Sequence, residues 1–146
     1  MSIKYVQGKT SEEFIFFHLN QCSADFIPPL DTKVNIQEYA AKIFEKAVTF
    51  EAWDDNVMVG LVAAYFDDVT DRIGYITNVS TIREYRRKGI AGNLLNQCID
   101  HAKKNNFHSI CLEVSALNSS AVLIYIKIGF QIKEDRDKLL IMKYEI

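Results

Sequence analysis

Cysteine is scarce. Cys22, Cys98 and Cys111 are the only three, and no two stand in a Cys-x-x-Cys pair. An odd number without that spacing builds no disulfide framework and favours a reducing compartment, so a cytoplasmic protein is expected. Proline occurs twice, side by side at Pro28-Pro29, where it bars helix and stiffens the segment. No apolar run approaches the roughly 20 residues of a membrane span, and the N-terminus lacks a signal-peptide pattern, so no membrane partner is expected. Neither sign of charge dominates: 17 Lys and Arg against 19 Asp and Glu leave a formal charge of −2. That argues against a broad basic surface for nucleic acid, whereas a local cation cluster in such a chain suits a small anionic ligand. The Walker pattern Gly-x-x-x-x-Gly-Lys-Ser/Thr and the dinucleotide fingerprint Gly-x-Gly-x-x-Gly are both absent. His18 and Cys22 stand four apart, which could put both on one helix face, but a metal needs more ligands than these and none is adjacent. They read as packed side chains, and no metal is expected.

What is present centres on Tyr85-Arg86-Arg87-Lys88-Gly89-Ile90-Ala91-Gly92. A strand-like run, residues 74–81, precedes it and a helix-like run, 92–104, follows. Gly89 and Gly92 let a ligand approach the backbone closely. The first turn of a helix leaves N–H groups without partners, and the helix dipole adds partial positive charge there. Arg86, Arg87 and Lys88 add full charges. A phosphate or pyrophosphate site results, or else a solvated basic turn before a surface helix; the stretch alone leaves both open.

At 146 residues the chain is expected to form one domain, 1–146, with a real core. Residues 3–6 alternate and predict a first strand. Thr10 or Ser11 caps a helix running to about Cys22. Residues 23–34 predict a loop, on which Phe26, Ile27 and Leu30 either fold back onto the core or wall a substrate pocket. Asn35 caps a second helix, 36–46, with Tyr39, Ile43 and Phe44 on its apolar face. Strands 48–53 and 57–66 flank the turn residues Asp54-Asp55-Asn56 and predict a hairpin. With the strand 73–81 they form an antiparallel meander. Ile90, Leu94, Leu95, Cys98, Ile99 and Ala102 then follow helical spacing. The short strand 109–114 reads as buried on both faces and joins the preceding strand through a right-handed parallel crossover. Asn118 caps a helix, 119–128, that Gly129 ends. Strands 130–133 and 139–144 close the chain as a pair. The fold class is α/β, with a mixed sheet flanked by helices.

Two motifs resemble those of the GNAT superfamily of acyl-CoA-dependent N-acetyltransferases. One is Arg86-x-x-Gly89-x-Ala91. The other, more specific, is Asn118-x-x-Ala121-x-x-x-Tyr125-x-Lys127-x-Gly129-Phe130. They occur in the family's order and spacing, and the likeness covers roughly residues 48–144. It implies a mixed sheet splayed between two strands, with acetyl-CoA as co-substrate in the opening and an amine as acceptor. The pyrophosphate would lie on the turn at Arg86, Arg87, Lys88, Gly89, Ile90, Ala91 and Gly92. The pantetheine arm would pair with the backbone of Val79, Ser80 and Thr81, and Asn118 would bond the pantetheine or the following turn. An amide cluster for phosphate and a strand edge for an amide-bearing arm agree with that placement.

Acetyl transfer requires a deprotonated amine, a polarised thioester carbonyl and a stabilised leaving thiolate. Tyr125 resembles the family's general acid. Its alternative is a packed helix aromatic. Some members carry a glutamate on the strand before the glycine turn; here that strand offers Tyr75, Thr77 and Asn78 but no carboxylate. Glu113 is the substitute, in a Leu-Glu-Val context resembling ribosomal-protein N-terminal alanine acetyltransferases, where the equivalent glutamate is the base. On a largely buried strand its pKa would rise. Otherwise it is a sheet-edge carboxylate, and an ordered water carries the proton. Phe26, Leu30 and Asn78 are expected to contact the acceptor: a small amine, an amino sugar or a peptide or protein N-terminus. A CoA-binding module without catalysis is the alternative. The sequence is silent on oligomeric state.

Overall fold

A computed structural model describes residues 2–146. Its elements follow in the order β1 (Ile3–Gln7), α1 (Glu12–Cys22), α2 (Leu30–Lys33), α3 (Ile36–Lys46), β2 (Val48–Asp54), β3 (Val57–Tyr65), β4 (Ile73–Thr81), α4 (Ile90–Lys104), β5 (Ser109–Ser115), α5 (Ser119–Ile128), β6 (Gln131–Arg136) and β7 (Leu139–Glu145). Local chemistry sets the helix starts. Ser11, Asn35 and Asn118 each accept a hydrogen bond from a backbone N–H three residues on, satisfying a donor that the first turn leaves free. The expected loop at 23–34 is not all loop. A 3-10 turn covers Ser23–Asp25, and α2 starts directly after Pro29, since proline is tolerated at a helix start and excluded only from its interior.

The sheet has strand order β1-β2-β3-β4-β5-β7-β6. Only β4 and β5 run parallel, and α4 crosses between them. One face carries α4 and α5, with Leu94 and Leu95 of α4 clustered with Phe50, Val59, Val62, Ile76 and Ile110 of the sheet. The other carries α1 and α3 over Ile15, Leu19, Ile43, Leu61 and Ala63. Gly60 lets α4 sit close, because a Cβ there would lie 2.7 Å from Ile90 Cγ2.

Two irregularities shape the centre. The β4–β5 pairing runs from Ile73 and Ser109 only to Ile76 and Leu112, so the strands part beyond that point. In the β3–β4 ladder, Ala64 faces Ile76 but Ala63 faces Asn78, leaving Thr77 as an extra residue. Such a bulge re-aims side chains. Ile76 therefore packs on the α4 face, while Asn78 and Ser80 turn toward α1. Burial on both faces of β5 fails at Glu113, which is exposed, and at Cys111, which is half-buried. Glu113 is the first residue past the last β4 partner, so no strand lies beside it on that side, although β7 pairs with it through Ile141 on the other.

Candidate active site

The junction between β4 and α4 has the expected form. Arg87 (φ 63°) and Gly89 (φ 77°) take left-handed conformations, which turn the chain sharply into the helix. The N–H groups of Gly89, Ile90, Ala91 and Gly92 have no acceptor among the described residues; the first helical bond at this end runs from Asn93 N to Gly89 O. A Cβ at Gly89 or Gly92 would meet nothing within 4 Å, so space lies open over these amides. The Ile90 side chain is core, and only its N–H belongs to this cradle. Arg87 and Lys88 are exposed beside it.

Arg86 sits differently from the other cations. Its Nη2 lies 3.0 Å from Asp25 Oδ2, and its Nε donates to Thr81 O at 3.3 Å. Arg83 also pairs with Asp25. These hydrogen bonds and charges, Arg83 foremost, hold the Asp25 carboxyl below its usual range. Arg86 thus ties the loop after α1 to the loop before α4. Tyr85 donates to Asp54 Oδ2 at 2.6 Å and fastens the same loop to the β2–β3 turn.

Beyond Ile76 the edge of β4 towards β5 has no strand partner among the described residues, which leaves the backbone of Val79, Ser80 and Thr81 without a ladder on that side, Thr81 O being taken by Arg86 Nε. Ser80 sends its side chain inward to His18. Tyr125 on α5 is 7% exposed, its ring 5.8 Å from that of Phe130. Burial pushes its phenol pKa up, so the hydroxyl keeps its hydrogen. That hydroxyl bonds no described residue. Asn118 Oδ1 is occupied by the Ala121 N–H and the Ser120 hydroxyl, so its carbonyl serves the following turn. Glu113 Oε1 accepts from Tyr75 Oη at 3.2 Å. Burial and then the Glu113 charge push the Tyr75 pKa up, keeping it the donor.

On the α3 side, Tyr39 Oη lies 2.6 Å from Thr77 O and 2.7 Å from Thr77 Oγ1. Burial raises its pKa to about 12. Tyr65 Oη, near the Thr77 side chain, is buried without a hydrogen bond of acceptable geometry. Lys42 Nζ stands 5.3 Å from the Tyr65 ring centre. Of the residues expected to face an acceptor, Asn78 is 4% exposed beside this group, and Phe26 is half-buried between the two core layers. Leu30 takes the core position, one of the two that the sequence left open. It is 6% exposed within the α1–α3 core, because α2 turns it inward.

A profile of the Acetyltransferase (GNAT) family matches residues 15–130. The chain belongs to the GNAT family. An N-alpha-acetyltransferase of Saccharolobus solfataricus is 38% identical over 107 residues, covering 66% of this chain and 60% of that protein. A probable N-acetyltransferase, camello, of Xenopus tropicalis is 30% identical over 96 residues, covering 66% of this chain and 43% of that one. The chain spans about half the length of the curated relatives it matches. Among solved structures, the PaiA N-acetyltransferase from Thermoplasma acidophilum in complex with coenzyme A has a TM-score of 0.79 at 19% identity, with all of both chains covered. The ribosomal-protein-S18-alanine N-acetyltransferase from Escherichia coli has a TM-score of 0.76 at 18% identity, covering 99% of this chain and 94% of that one. At these identities the likeness is one of fold.

Within this GNAT chain, sequence reasoning passed over the hydroxyls of Tyr39 and Tyr65. Tyr39 reads as one more apolar residue on a helix stripe, and Tyr65 as the end of a strand. The available signal was their hydroxyl: a tyrosine beside a core needs a partner for its O–H. His18 is packed, the reading that the lack of adjacent metal ligands favoured, and Cys22 Sγ lies 3.9 Å from its Nε2.

Proposed function

We propose that this chain is an acetyl-CoA-dependent N-acetyltransferase that moves an acetyl group to a primary amine by direct attack. The observation that carries the reading is the parting of β4 and β5 after Ile76 and Leu112, with four free N–H groups at the start of α4, the helix that follows β4. The amides of Gly89, Ile90, Ala91 and Gly92 suit a pyrophosphate, and Arg87 and Lys88 add charge. The free edge of Val79, Ser80 and Thr81 suits the amide-bearing pantetheine arm. Asn118 contributes by holding the first turn of α5, which carries Tyr125.

In this mechanism the amine nitrogen attacks the thioester carbonyl, the C–S bond breaks and the thiolate leaves. Tyr125, kept protonated by burial, gives its hydrogen to the sulfur. The proton lost by the amine goes to Glu113, directly or by way of water. Glu113 is exposed and therefore well placed to return that proton to solvent. The burial expected for it is absent. The hydroxyl of Tyr75 instead holds one carboxylate oxygen, leaving the other for the incoming proton. Asn78 and Phe26 contribute to the acceptor side.

The acceptor class favoured is a peptide or protein N-terminus, on the strength of the N-alpha-acetyltransferase relatives from Saccharolobus solfataricus and Schizosaccharomyces pombe. Thiol release from acetyl-CoA, measured over a panel of peptides, polyamines and amino sugars, tests both levels of the proposal. Peptide-dependent release supports the full reading, and release with other amines alone corrects the acceptor. Tight acetyl-CoA binding with no release for any amine would make the chain a CoA-binding module.

A further inference from the structure

Asp25 ends the 3-10 turn after α1, and its side chain is 14% exposed. Two cations meet on it. Arg83 pairs with Oδ1, and Arg86 Nη2 lies 3.0 Å from Oδ2. Arg86 Nε also donates to Thr81 O at 3.3 Å. One guanidinium thus spans a carboxylate of the loop after α1 and a carbonyl at the end of β4. An isolated surface ion pair contributes little, but two arginines converging on one partly buried carboxylate form a network.

The edge of Arg86 that is used here is one that a phosphate could take. A guanidinium grips an oxyanion best through paired N–H donors, and Nε with Nη2 is such a pair. Both are spent, one on Thr81 and one on Asp25. Thr81 O itself belongs to the open edge of β4. Ile82 N donates to Val59 O, so Ile82 turns its backbone groups to β3. In an antiparallel ladder the residue before it turns its own away. Arg86 therefore caps the end of that edge and leaves Val79 and the Thr81 N–H for a pantetheine arm. Asp25 also bears on the loop that it belongs to. Phe26 N donates to Ser23 O, and Asp31 N donates to Ser23 Oγ at 3.1 Å. Pro28-Pro29 stiffens the span between them. The stretch from Ser23 to Asp31 is thus tied to itself, and Asp25 joins it to the loop before α4.

We infer that Asp25 is a positioning residue with two opposed effects: it withholds Arg86 from the acetyl-CoA pyrophosphate, and through Arg83 and Arg86 it fixes the loop that presents Phe26 to the acceptor. The inference rests on the acetyltransferase reading. Cofactor affinity is given up for order on the acceptor side. Acetyl-CoA is left to the amides of Gly89 to Gly92, with Arg87 and Lys88. Asp25 touches neither substrate and acts through the two arginines.

Three measurements on the full chain test it. Asp25→Asn keeps the shape of the side chain and removes its charge; Asp25→Ser replaces it if that variant folds poorly. Calorimetry should show acetyl-CoA binding about fivefold tighter, the yield of one partly exposed ion contact, and the gain should fade in ~1 M salt. Loss of any nearby negative charge would also raise the local potential, so Arg86→Ala assigns the gain. Adding Asp25→Asn to Arg86→Ala should change the acetyl-CoA Kd by less than about twofold. Chymotrypsin cleavage after Phe26, identified by fragment mass, should be faster in Asp25→Asn, because the loop opens more often. With an amine that wild type acetylates, the acceptor KM should rise about fivefold while kcat stays within about twofold. A merely structural Asp25 would weaken both ligands together. Equal or weaker acetyl-CoA binding in a folded Asp25→Asn, or the same gain without Arg86, overturns the inference while the acetyltransferase reading stands. So does unchanged cleavage after Phe26. If wild type binds no acetyl-CoA, both fall. If it binds acetyl-CoA and turns over no amine, the acetyltransferase reading alone falls, and calorimetry and proteolysis decide the role of Asp25.

Discussion

Ile76 and Leu112 are the last residues of β4 and β5 to face each other as a parallel pair. Both side chains are buried in the α4 core layer, which pins the strands together up to that point. Past it, Thr77 is a bulge held by Tyr39, and Glu113 is open to solvent. The gap that begins there is bounded by the strand edge at 77–81, which leads through residues 82–89 to the N-terminus of α4. One pair of apolar residues therefore marks the boundary between closed sheet and candidate cleft.

Gly60→Ala should move α4. The added Cβ meets Ile90 Cγ2 at 2.7 Å and Leu94 Cδ1 at 3.3 Å. A branched methyl next to the helix backbone cannot swing aside, so overpacking of about 1–3 kcal/mol is expected. Urea unfolding should show that loss, and calorimetry should show weaker acetyl-CoA binding because Ile90 carries one of the free amides. A variant matching wild type in both would mean that α4 is not held by this contact.

Gly89→Asp should abolish acetyl-CoA binding while the fold survives. The new side chain has open space, and the left-handed φ of 77° costs a non-glycine residue about 1 kcal/mol. A carboxylate would then stand at the four free amides and repel a pyrophosphate. Calorimetry on a folded variant with unaltered affinity would remove this turn from the binding site.

Tyr125→Phe should lower kcat by ~10²–10⁴-fold with acetyl-CoA affinity retained, because only the hydroxyl is lost. Glu113→Gln should instead depress the acidic limb of the pH–rate profile, since it deletes the group that must be ionised. An unshifted profile would leave water as the proton carrier and Glu113 as a partner of Tyr75 alone. Near-normal turnover in Tyr125→Phe would return Tyr125 to a packing role.

His18 should make stability depend on pH. Its folded pKa of about 4 lies below the ordinary 6.5, so the unfolded chain binds more protons in between. The contribution is fully present above about pH 6.5, declines as pH falls, and is gone by about pH 4. Its size is on the order of 3 kcal/mol. Unfolding free energies from urea titrations of wild type and His18→Gln, compared from pH 7 to pH 4, should converge by that amount. Parallel curves would show that His18 is protonated as readily in the folded chain as in the unfolded one.

What the sequence determined by itself was whatever depends on neighbours along the chain. The caps at Ser11, Asn35 and Asn118, the helical spacing of Ile90 to Ala102 and the turn chemistry at Asp54-Asp55-Asn56 are local, and each element formed where they put it. The cradle of amides at Gly89 to Gly92 is equally local, since a helix start needs no distant partner to expose its N–H groups. The rest depends on residues far apart in sequence. Thr77 looks like any strand residue until the register against Ala63 and Ala64 makes it a bulge. Glu113 reads as buried until β4 turns away from it. Arg86 reads as a phosphate cation until Asp25, 61 positions earlier in the numbering, arrives to pair with it. Leu30 reads equally well as pocket wall or core until α2 turns it inward. His18, Ser80 and Asn78 become one chain only when α1 lies across β4. Periodicity gives each residue a face; only the packing of strands and helices decides what that face meets, because the energies involved belong to pairs and not to single residues.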